Sequence, residues 1–302
     1  MSIKVENIGF KPITTDVKAI KTQVKLEVPK DKTEQVKKLA GTDRIAKWFS
    51  QAGIYSITNA KQNQSIDYKI SERLKLKERR KILNLESILS KAINFCLDDG
   101  QTDDIDPDWF FSFIKMAEEI YSPPMQELWG KIFAVESGKP GSFSLNTLQL
   151  LKQLTQKDAL IFRRAVNFAS RQRGDSSPKL LIGYYRKKSL WSFLSTNSGH
   201  QLNLAQFGLS YPDLLALMDL GLIHHSEIES GEIPLGDTTE WRVAGHTMTL
   251  SPRLKALTLV YFKFTTTGAE LSKLVNSQKQ DHYVLALKQR LSGVFNIKNE
   301  SA

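Results

Sequence analysis

Apolar side chains recur at steps of three and four residues through the middle of the chain, which is the spacing of one face of an α-helix. The longest such segment spans residues 66–97. Its apolar stripe consists of Ile82, Leu85, Leu89, Ala92 and Cys96. Because Cys96 falls on this stripe, we expect it to be a buried small apolar side chain rather than a nucleophile.

Four further helices are predicted before residue 170 by residues that commonly begin a helix. Asp106 and Ser122 each precede a proline, Ser144 precedes an apolar run, and Thr155 opens a variant capping box with Asp158. Consecutive amphipathic helices joined by short turns predict an α-helical bundle.

After Arg171 the pattern changes to short β-like stretches interspersed with helices. We expect strands at residues 179–185, 222–225, 240–243, 247–250 and 257–264. The predicted fold class is α+β, mainly α. We divide the chain into a basic N-terminal arm with short helices (1–64), an α-helical bundle (65–170) and a winged-helix-like α+β domain (171–302).

The winged-helix expectation comes from two motifs. Residues 213–223 (DLLALMDLGLI) and 264–271 (FTTTGAEL) resemble winged-helix proteins, in which LxxLGLI closes the recognition helix, a β-hairpin wing follows, and LTxxGxxL begins the next helix. About 40 residues separate the two motifs, which is longer than a simple wing. The resemblance implies that the helix at 211–220 and the strand after it lie near a nucleic-acid groove, although such domains also dock proteins.

A second resemblance lies upstream. Residues 125–136 (MQELWGKIFAVE), 139–148 (KPGSFSLNTL) and 79–88 (RRKILNLESI) resemble an uncharacterised bacterial family of conserved hypothetical proteins, a domain of unknown function. In that family a helical LWxxIxxxE…PGSFS…TLxxLKxL segment precedes a winged-helix-like half. Related helical families, of the Abi-alpha type, are associated with abortive-infection phage defence, and this distant similarity implies such a role.

Charge changes the picture more than composition does. The apolar fraction of 41% is that of an ordinary globular protein, but the net charge is +10. Residues 1–97 carry a net +10, residues 98–136 a net −8, and residues 137–302 a net +8. The basic regions would attract a polyanion such as nucleic acid. The alternative is that their lysines only solubilise helical faces and pair with the acidic stretch.

Several classes of protein are disfavoured. No apolar run approaches the roughly 20 residues that span a bilayer, and no secretory signal is visible. The single cysteine, Cys96, fits a reducing compartment, so we expect a cytoplasmic protein without membrane contact.

The sequence also lacks convincing catalytic or metal-binding chemistry. Acidic residues 104–108 resemble the start of a calcium loop, but Trp109 and Lys115 occupy the positions that need glycine and glutamate. The loop at 138–144 (GKPGSFS) either presents amides to an anion or simply connects two helices, and we expect Glu136 to be a capped or paired polar group. We therefore expect no cofactor and no metal, and we favour a protein that is not an enzyme.

The candidate nucleic-acid site is a cluster of cations around the junction of the two halves. Its members are Arg163, Arg164, Arg171, Arg173, Lys179, Arg186, Lys187 and Lys188. Asp175 is the one acid among them, and Phe162, Tyr184, Tyr185 and Trp191 are interleaved. Such a set suits phosphate contact with some base stacking, and a solvated turn beside a core strand explains it equally well.

An interaction module is the second hypothesis. It would bind a protein partner or self-associate through partly exposed aromatic anchors, namely Trp109, Phe110, Trp129 and Phe133.

Overall fold

A computed structural model describes residues 30–55, 64–96, 104–187 and 200–299. Residues 1–29 and 56–63 of the predicted arm (1–64), together with Lys188 and Trp191, lie outside the described residues. The chain divides into two compact units, residues 1–77 and 78–302.

The first unit contains helix α1 (Lys30–Gln51) and the beginning of helix α2 (Ile66–Phe95). In place of several short helices, the described part of the arm forms the single helix α1, which ends just before Gly53 with its positive φ of 76°. Three large apolar side chains of α1, Ile45, Trp48 and Phe49, are exposed.

The helical part of the second unit contains the rest of α2 and four more helices. These are α3 (Pro107–Ala117), α4 (Pro123–Gly138), α5 (Leu145–Gln153) and α6 (Gln156–Asn167). Three of the four predicted caps are confirmed, since the side chains of Asp106, Ser144 and Thr155 each accept a hydrogen bond from a first-turn amide. Ser122 begins α4 as predicted, but its side chain makes no cap hydrogen bond.

The apolar stripe predicted on α2 is only partly correct. The residues of α2 that are buried in this unit are Asn84, Ile88 and Ala92, whereas Ile82 and Leu89 are exposed. Cys96 is exposed as well, so the expectation that it is buried is wrong. The physical reason is that α2 carries more apolar residues than one face can hold, and the polar Asn84 belongs to the face that is buried.

That buried face depends on a hydrogen-bonded network. Asn84 donates from Nδ2 to the Glu118 carbonyl, and Gln126 donates from Nε2 to Asn84 Oδ1 and to the Ile120 carbonyl. Ser87 donates to Gln126 Oε1. Because the buried amides have partners, burying Asn84 and Gln126 does not carry the cost of unpaired polar groups.

The second half of this unit is built on an antiparallel sheet. Its strands are β1 (Ala169–Gln172), β2 (Asp175–Arg186), β3 (His200–Gln201), β4 (Ile223–Glu229), β5 (Thr239–Val243), β6 (His246–Pro252), β7 (Leu257–Phe264) and β8 (Phe295–Asn299). The spatial order is β4-β7-β2-β1-β5-β6-β8, and β3 pairs with β2. Helices α7 (Tyr211–Asp219), α8 (Thr266–Ser272) and α9 (Asp281–Leu291) and a short 3₁₀ helix (Leu204–Phe207) complete it.

A helical part followed by a sheet-rich half confirms the α+β, mainly α fold class. Three strands were missed, namely β1, β3 and β8. The turn-rich segment after Arg171 is a tight hairpin between β1 and β2, with Gly174 at φ 84°.

The two motifs singled out in the sequence meet in space. Thr265 donates from Oγ1 to the Gly221 carbonyl at 2.6 Å, and its backbone amide donates to the Leu222 carbonyl. A Cβ added to Gly268 would lie 2.0 Å from that same Leu222 oxygen. The glycine of the second motif is therefore required by its contact with the first.

Candidate nucleic-acid interface

The described cations of the predicted cluster do not gather at one place. Arg171 and Arg173 lie at the β1–β2 hairpin, whereas Arg186 and Lys187 lie at the far end of β2. At about 3.3 Å per residue, a strand of this length separates the two pairs by roughly 30 Å.

Lys179 is an interior residue. Only 3% of its side chain is exposed, and Nζ donates to Asp175 Oδ2 at 2.7 Å and to the Ser177 carbonyl at 3.3 Å. The ammonium also lies 5.7 Å from the centre of the Trp241 ring and 5.6 Å from that of Tyr261. Its charge is already compensated within the protein, so it is not positioned for phosphate contact.

Arg164 has a structural task. Its Nη1 donates to the Gly208 carbonyl at 2.8 Å and lies 3.7 Å from Asp213 Oδ2, which ties α6 to the start of α7. Burial alone would raise the pKa of Asp213, but hydrogen bonds from Ser210 and the charge of Arg164 outweigh it and lower the pKa. Arg163, its neighbour, and Arg164 itself both line a cavity.

The register of four strands creates a polar surface that the sequence did not reveal. Residues directly opposite one another share a face, and β1, β5, β6 and β8 are paired side by side. One face of β5, β6 and β8 is buried through Trp241, Val243, Met248, Leu250 and Phe295. The other, which we call the open sheet face, consists of Arg171, Glu240, Arg242, Thr247, Thr249, Ser251, Asn296 and Lys298.

Two arginines stand directly opposite each other at the centre of this face. Arg171 on β1 is paired in register with Arg242 on β5. Arg171 donates from Nη2 to Ser272 Oγ at 3.4 Å, but within the described residues neither guanidinium lies within 4.0 Å of a carboxylate oxygen. Burial, and after it the charge of Arg242, lowers the pKa of Arg171. Like charges at directly opposite positions destabilise a sheet. An anion bound between the two guanidiniums would reduce their repulsion.

Further cations lie on and beside the open sheet face. Lys298 is exposed beside Thr249, and Arg253 donates from Nε to Asn296 Oδ1 at 2.6 Å. The carboxylate of the face, Glu240, accepts from Arg173 at 2.8 Å. Arg173 thus neutralises Glu240, and the face as a whole is cationic.

The loop at 138–144 connects elements rather than presenting free amides. Glu136 is buried, and its carboxylate accepts hydrogen bonds from the backbone amides of Gly141 and Phe143. The expectation that Glu136 is a paired polar group is confirmed. Glu270 on α8 accepts from the Ser144 amide and from the hydroxyls of Ser144 and Thr147. The protein's own carboxylates occupy the amides that an external anion would need.

The elements expected to lie near a groove carry the wrong charge for phosphates. Residues 211–229, which comprise α7 and β4, contain four carboxylates and no lysine or arginine. The exposed side chains of α7 are Tyr211, Leu215 and Asp219 among others. Phosphate contact is therefore better placed on the open sheet face.

The proposed aromatic anchors are mostly interior. Trp109 and Trp129 are buried, and Phe110 and Phe133 are half-buried. Among the described side chains no group of three or more potential ligands could hold a metal ion. None of the helices that the structure describes is long and apolar enough to span a bilayer.

Sequence reasoning found Arg171 and Arg173 but missed Arg242, Arg253 and Lys298. The signal that could have identified Arg242 was the alternation of apolar and polar residues in β5 and β6, which places Arg242, Thr247 and Thr249 on one face. The pairing of β1 with β5 joins residues about 70 positions apart, and no local pattern specifies it.

Comparison with known proteins adds a family. No curated protein and no solved structure matches the chain. A family model described as a protein of unknown function, DUF2806, matches residues 68–288. Since this match covers most of the chain, the protein belongs to the DUF2806 family.

Proposed function

We propose that this protein is a non-enzymatic, cytoplasmic nucleic-acid-binding protein whose open sheet face contacts the phosphate backbone. The observation that carries the proposal is the opposed pair of Arg171 and Arg242, which has no carboxylate partner in the described part of the chain. A phosphate between the two guanidiniums would accept charge-assisted hydrogen bonds from both.

The surroundings of the pair suit a polyanion rather than a single small anion. Lys298 and Arg253 extend the positive charge across the sheet, and Thr247, Thr249 and Ser251 add hydroxyl donors between them. An extended row of donors matches a repeating phosphate chain, in which each neutralised phosphate releases counterions.

We also propose that this half is a winged-helix-like domain, and the order of its elements supports this. Helix α7 is followed by β4, which pairs with β7, and β7 leads into α8. In this interpretation β4 and β7 are the wing, and β5 and β6 are an insertion that fills the long gap between the two motifs. The insertion supplies Arg242, so the phosphate-binding surface lies outside the usual recognition helix.

The test is a binding titration with fluorescein-labelled single-stranded and duplex DNA, followed by anisotropy. We expect the double variant Arg171→Gln/Arg242→Gln to bind about 10- to 100-fold more weakly than the wild type at equal salt. The matched control is Arg186→Gln/Lys187→Gln, which removes two exposed cations at the far end of β2 and should change affinity less than about threefold.

Thermal unfolding of both variants separates a folding defect from a binding defect. If the two double variants bind with equal affinity and melt like the wild type, the open sheet face does not contact the phosphate backbone.

Self-association is the second candidate, and one observation favours it. An almost entirely apolar groove of about 300 Å³ lies between α2 and α3, lined by residues that include Leu85, Phe110 and Phe133. Two further lining residues, Ile82 and Leu89, are 57% and 56% exposed, and Ile93, one helical turn after Leu89, is 64% exposed. Exposed apolar surface of this kind marks an interaction site, which would suit an effector in phage defence or stress.

The charges at the two ends of the groove favour a second copy as the occupant. Lys81 pairs with Glu118 at the C-terminal end of α3, so α3 runs antiparallel to α2. Arg79 and Arg80 therefore lie at one end of the groove, and the acidic residues 104–108 at the beginning of α3 lie at the other. Two copies related by a twofold axis would bring opposite ends together.

Sedimentation equilibrium tests this candidate. We expect a dimer for the wild type, a monomer for Leu89→Asp, and a dimer for Leu160→Asp, which places the same charge on an exposed leucine of α6. A wild-type protein that stays monomeric at all concentrations would eliminate self-association.

A further inference from the structure

A second candidate site, with a lining distinct from the open sheet face, lies among the helices. A cavity of about 660 Å³ opens between α4, α5, α6 and α8, within the range typical of small-molecule sites. No function discussed above uses it. Its walls and its mouth differ in chemistry, and this difference defines what would fill it.

The inner walls are apolar. Each of the four helices contributes to them, through residues that include Leu128, Leu151, Phe162 and Leu271. Phe162, Leu151 and Leu271 are buried, so the walls are part of the packed core and hold their shape. Such walls favour a hydrocarbon or aromatic body and exclude a nucleic-acid backbone.

The mouth offers donors of positive or neutral character. The polar side chains of the lining are Arg163, Arg164, Asn167, Asn276 and Gln278, most of which are exposed, and the lining contains no aspartate or glutamate. In contrast to Arg164, Arg163 makes no ion pair or hydrogen bond with the residues that the structure describes. Asn167 Oδ1 accepts from the Gln278 amide, which fixes the Asn167 side chain and leaves its NH₂ group as a donor.

We propose that this cavity binds an amphipathic carboxylate, a ligand with an apolar body and one anionic head, such as a medium- or long-chain fatty acid. The body lies against the leucines and Phe162, and the carboxylate accepts hydrogen bonds from Arg163 and Asn167. A cationic amphiphile would find no carboxylate in the lining, and a neutral one would leave the arginine unpaired.

The probe for the test is 11-(dansylamino)undecanoic acid, whose fluorescence rises in an apolar site. We expect saturable binding with one site per chain and displacement by decanoate. Decanol, which has the same body without the charge, should compete at least tenfold less well, and decyltrimethylammonium should not compete.

Two variants locate the site. Arg163→Gln should weaken binding of the fatty-acid probe about tenfold, whereas Lys157→Gln, which removes an exposed cation from the same helix, should leave it within twofold. Leu274→Trp, which fills the cavity, should abolish binding while the circular dichroism spectrum is unchanged.

Absence of saturable fluorescence, equal competition by decanol and decanoate, or full binding by Arg163→Gln or by a folded Leu274→Trp would each overturn the proposal. Anionic vesicles that compete where decanoate does not would also overturn it, because the ligand would then be a membrane surface. None of these measurements involves nucleic acid, so the result is independent of the open sheet face.

Discussion

At the scale of single residues, Lys179 illustrates why a count of positive charges does not map a binding surface. It belongs to a run of cations in the sequence, yet its ammonium is enclosed by Asp175, the Ser177 carbonyl and two aromatic rings. Its partner is less enclosed, since 45% of the Asp175 side chain is exposed. The pair therefore stabilises the hairpin that carries Arg171 and Arg173.

Asp175→Asn should lower the free energy of unfolding at pH 7 by about 2 kcal/mol, because it leaves a buried ammonium without its carboxylate. The hydrogen bond from Lys179 is the main cause that lowers the pKa of Asp175 below its ordinary 3.8. A lowered carboxyl pKa gives stability that is complete above about pH 5 and is lost as the pH falls below 3.8 and through the lowered pKa of the folded state. The variant should therefore lose less stability than the wild type between pH 5 and pH 3.

Chemical denaturation across this pH range measures both effects. Arg173→Gln is the control, since it breaks an ion pair whose arginine side chain is 81% exposed and should cost less than about 1 kcal/mol. A control variant that is destabilised as much as Asp175→Asn would contradict the account.

Arg242 shows what residue-level reasoning could not find. Its place in an alternating stretch was visible in the sequence, and its outward orientation follows from the buried Trp241 and Val243 beside it. Its partner Arg171 depends on a long-range strand pairing that is set by packing of the whole sheet. The outward orientation of Arg242 could therefore be predicted from the sequence. Its pairing with Arg171, which makes the two residues a candidate site, could not.

At the scale of elements, helix starts were the most predictable feature, because capping is a local interaction. Thr155 and Asp158 form a reciprocal capping box at α6, and Ser210 and Asp213 form another at α7. Which face of a helix is buried was less predictable, as the exposed Ile82 and Leu89 on α2 demonstrate.

Thr155→Ala and Ser210→Ala should each lower the free energy of unfolding by about 1 kcal/mol, since each removes a hydrogen-bond acceptor for a first-turn amide. Ser122→Ala provides the comparison, because Ser122 begins α4 without a side-chain cap bond and its loss should stay within about 0.5 kcal/mol. Urea denaturation of the three variants measures these changes in the free energy of unfolding. Equal losses for all three would contradict the capping roles assigned to Thr155 and Ser210.

The contact between α8 and the turn after α7 gives a second prediction. Gly268→Ala should lower stability by on the order of 3 kcal/mol, because the added Cβ would meet the Leu222 carbonyl oxygen at 2.0 Å. Gly138→Ala has nothing within 4 Å of the added carbon and should be neutral or slightly stabilising.

Thermal unfolding compares these two glycine variants directly. A Gly268→Ala protein that melts with the wild type would mean that the two sequence motifs do not hold each other in place.

At the scale of the whole molecule, the order of helical part and sheet-rich half follows from hydrophobic periodicity. The strand order does not, because β1, β3 and β8 are short or lie at the ends of other elements. The positive net charge likewise indicated a polyanion without indicating a surface. Only the pairing of β1, β5, β6 and β8 selects the open sheet face among many charged side chains.

The salt dependence of DNA binding tests this central claim most directly. The logarithm of the association constant for duplex DNA, plotted against the logarithm of salt concentration, falls with a slope of about 0.9 per neutralised phosphate. The account predicts a clear negative slope for the wild type and a slope smaller by roughly 2 for Arg171→Gln/Arg242→Gln. A wild-type protein whose binding does not respond to salt, or a double variant with an unchanged slope, would contradict it.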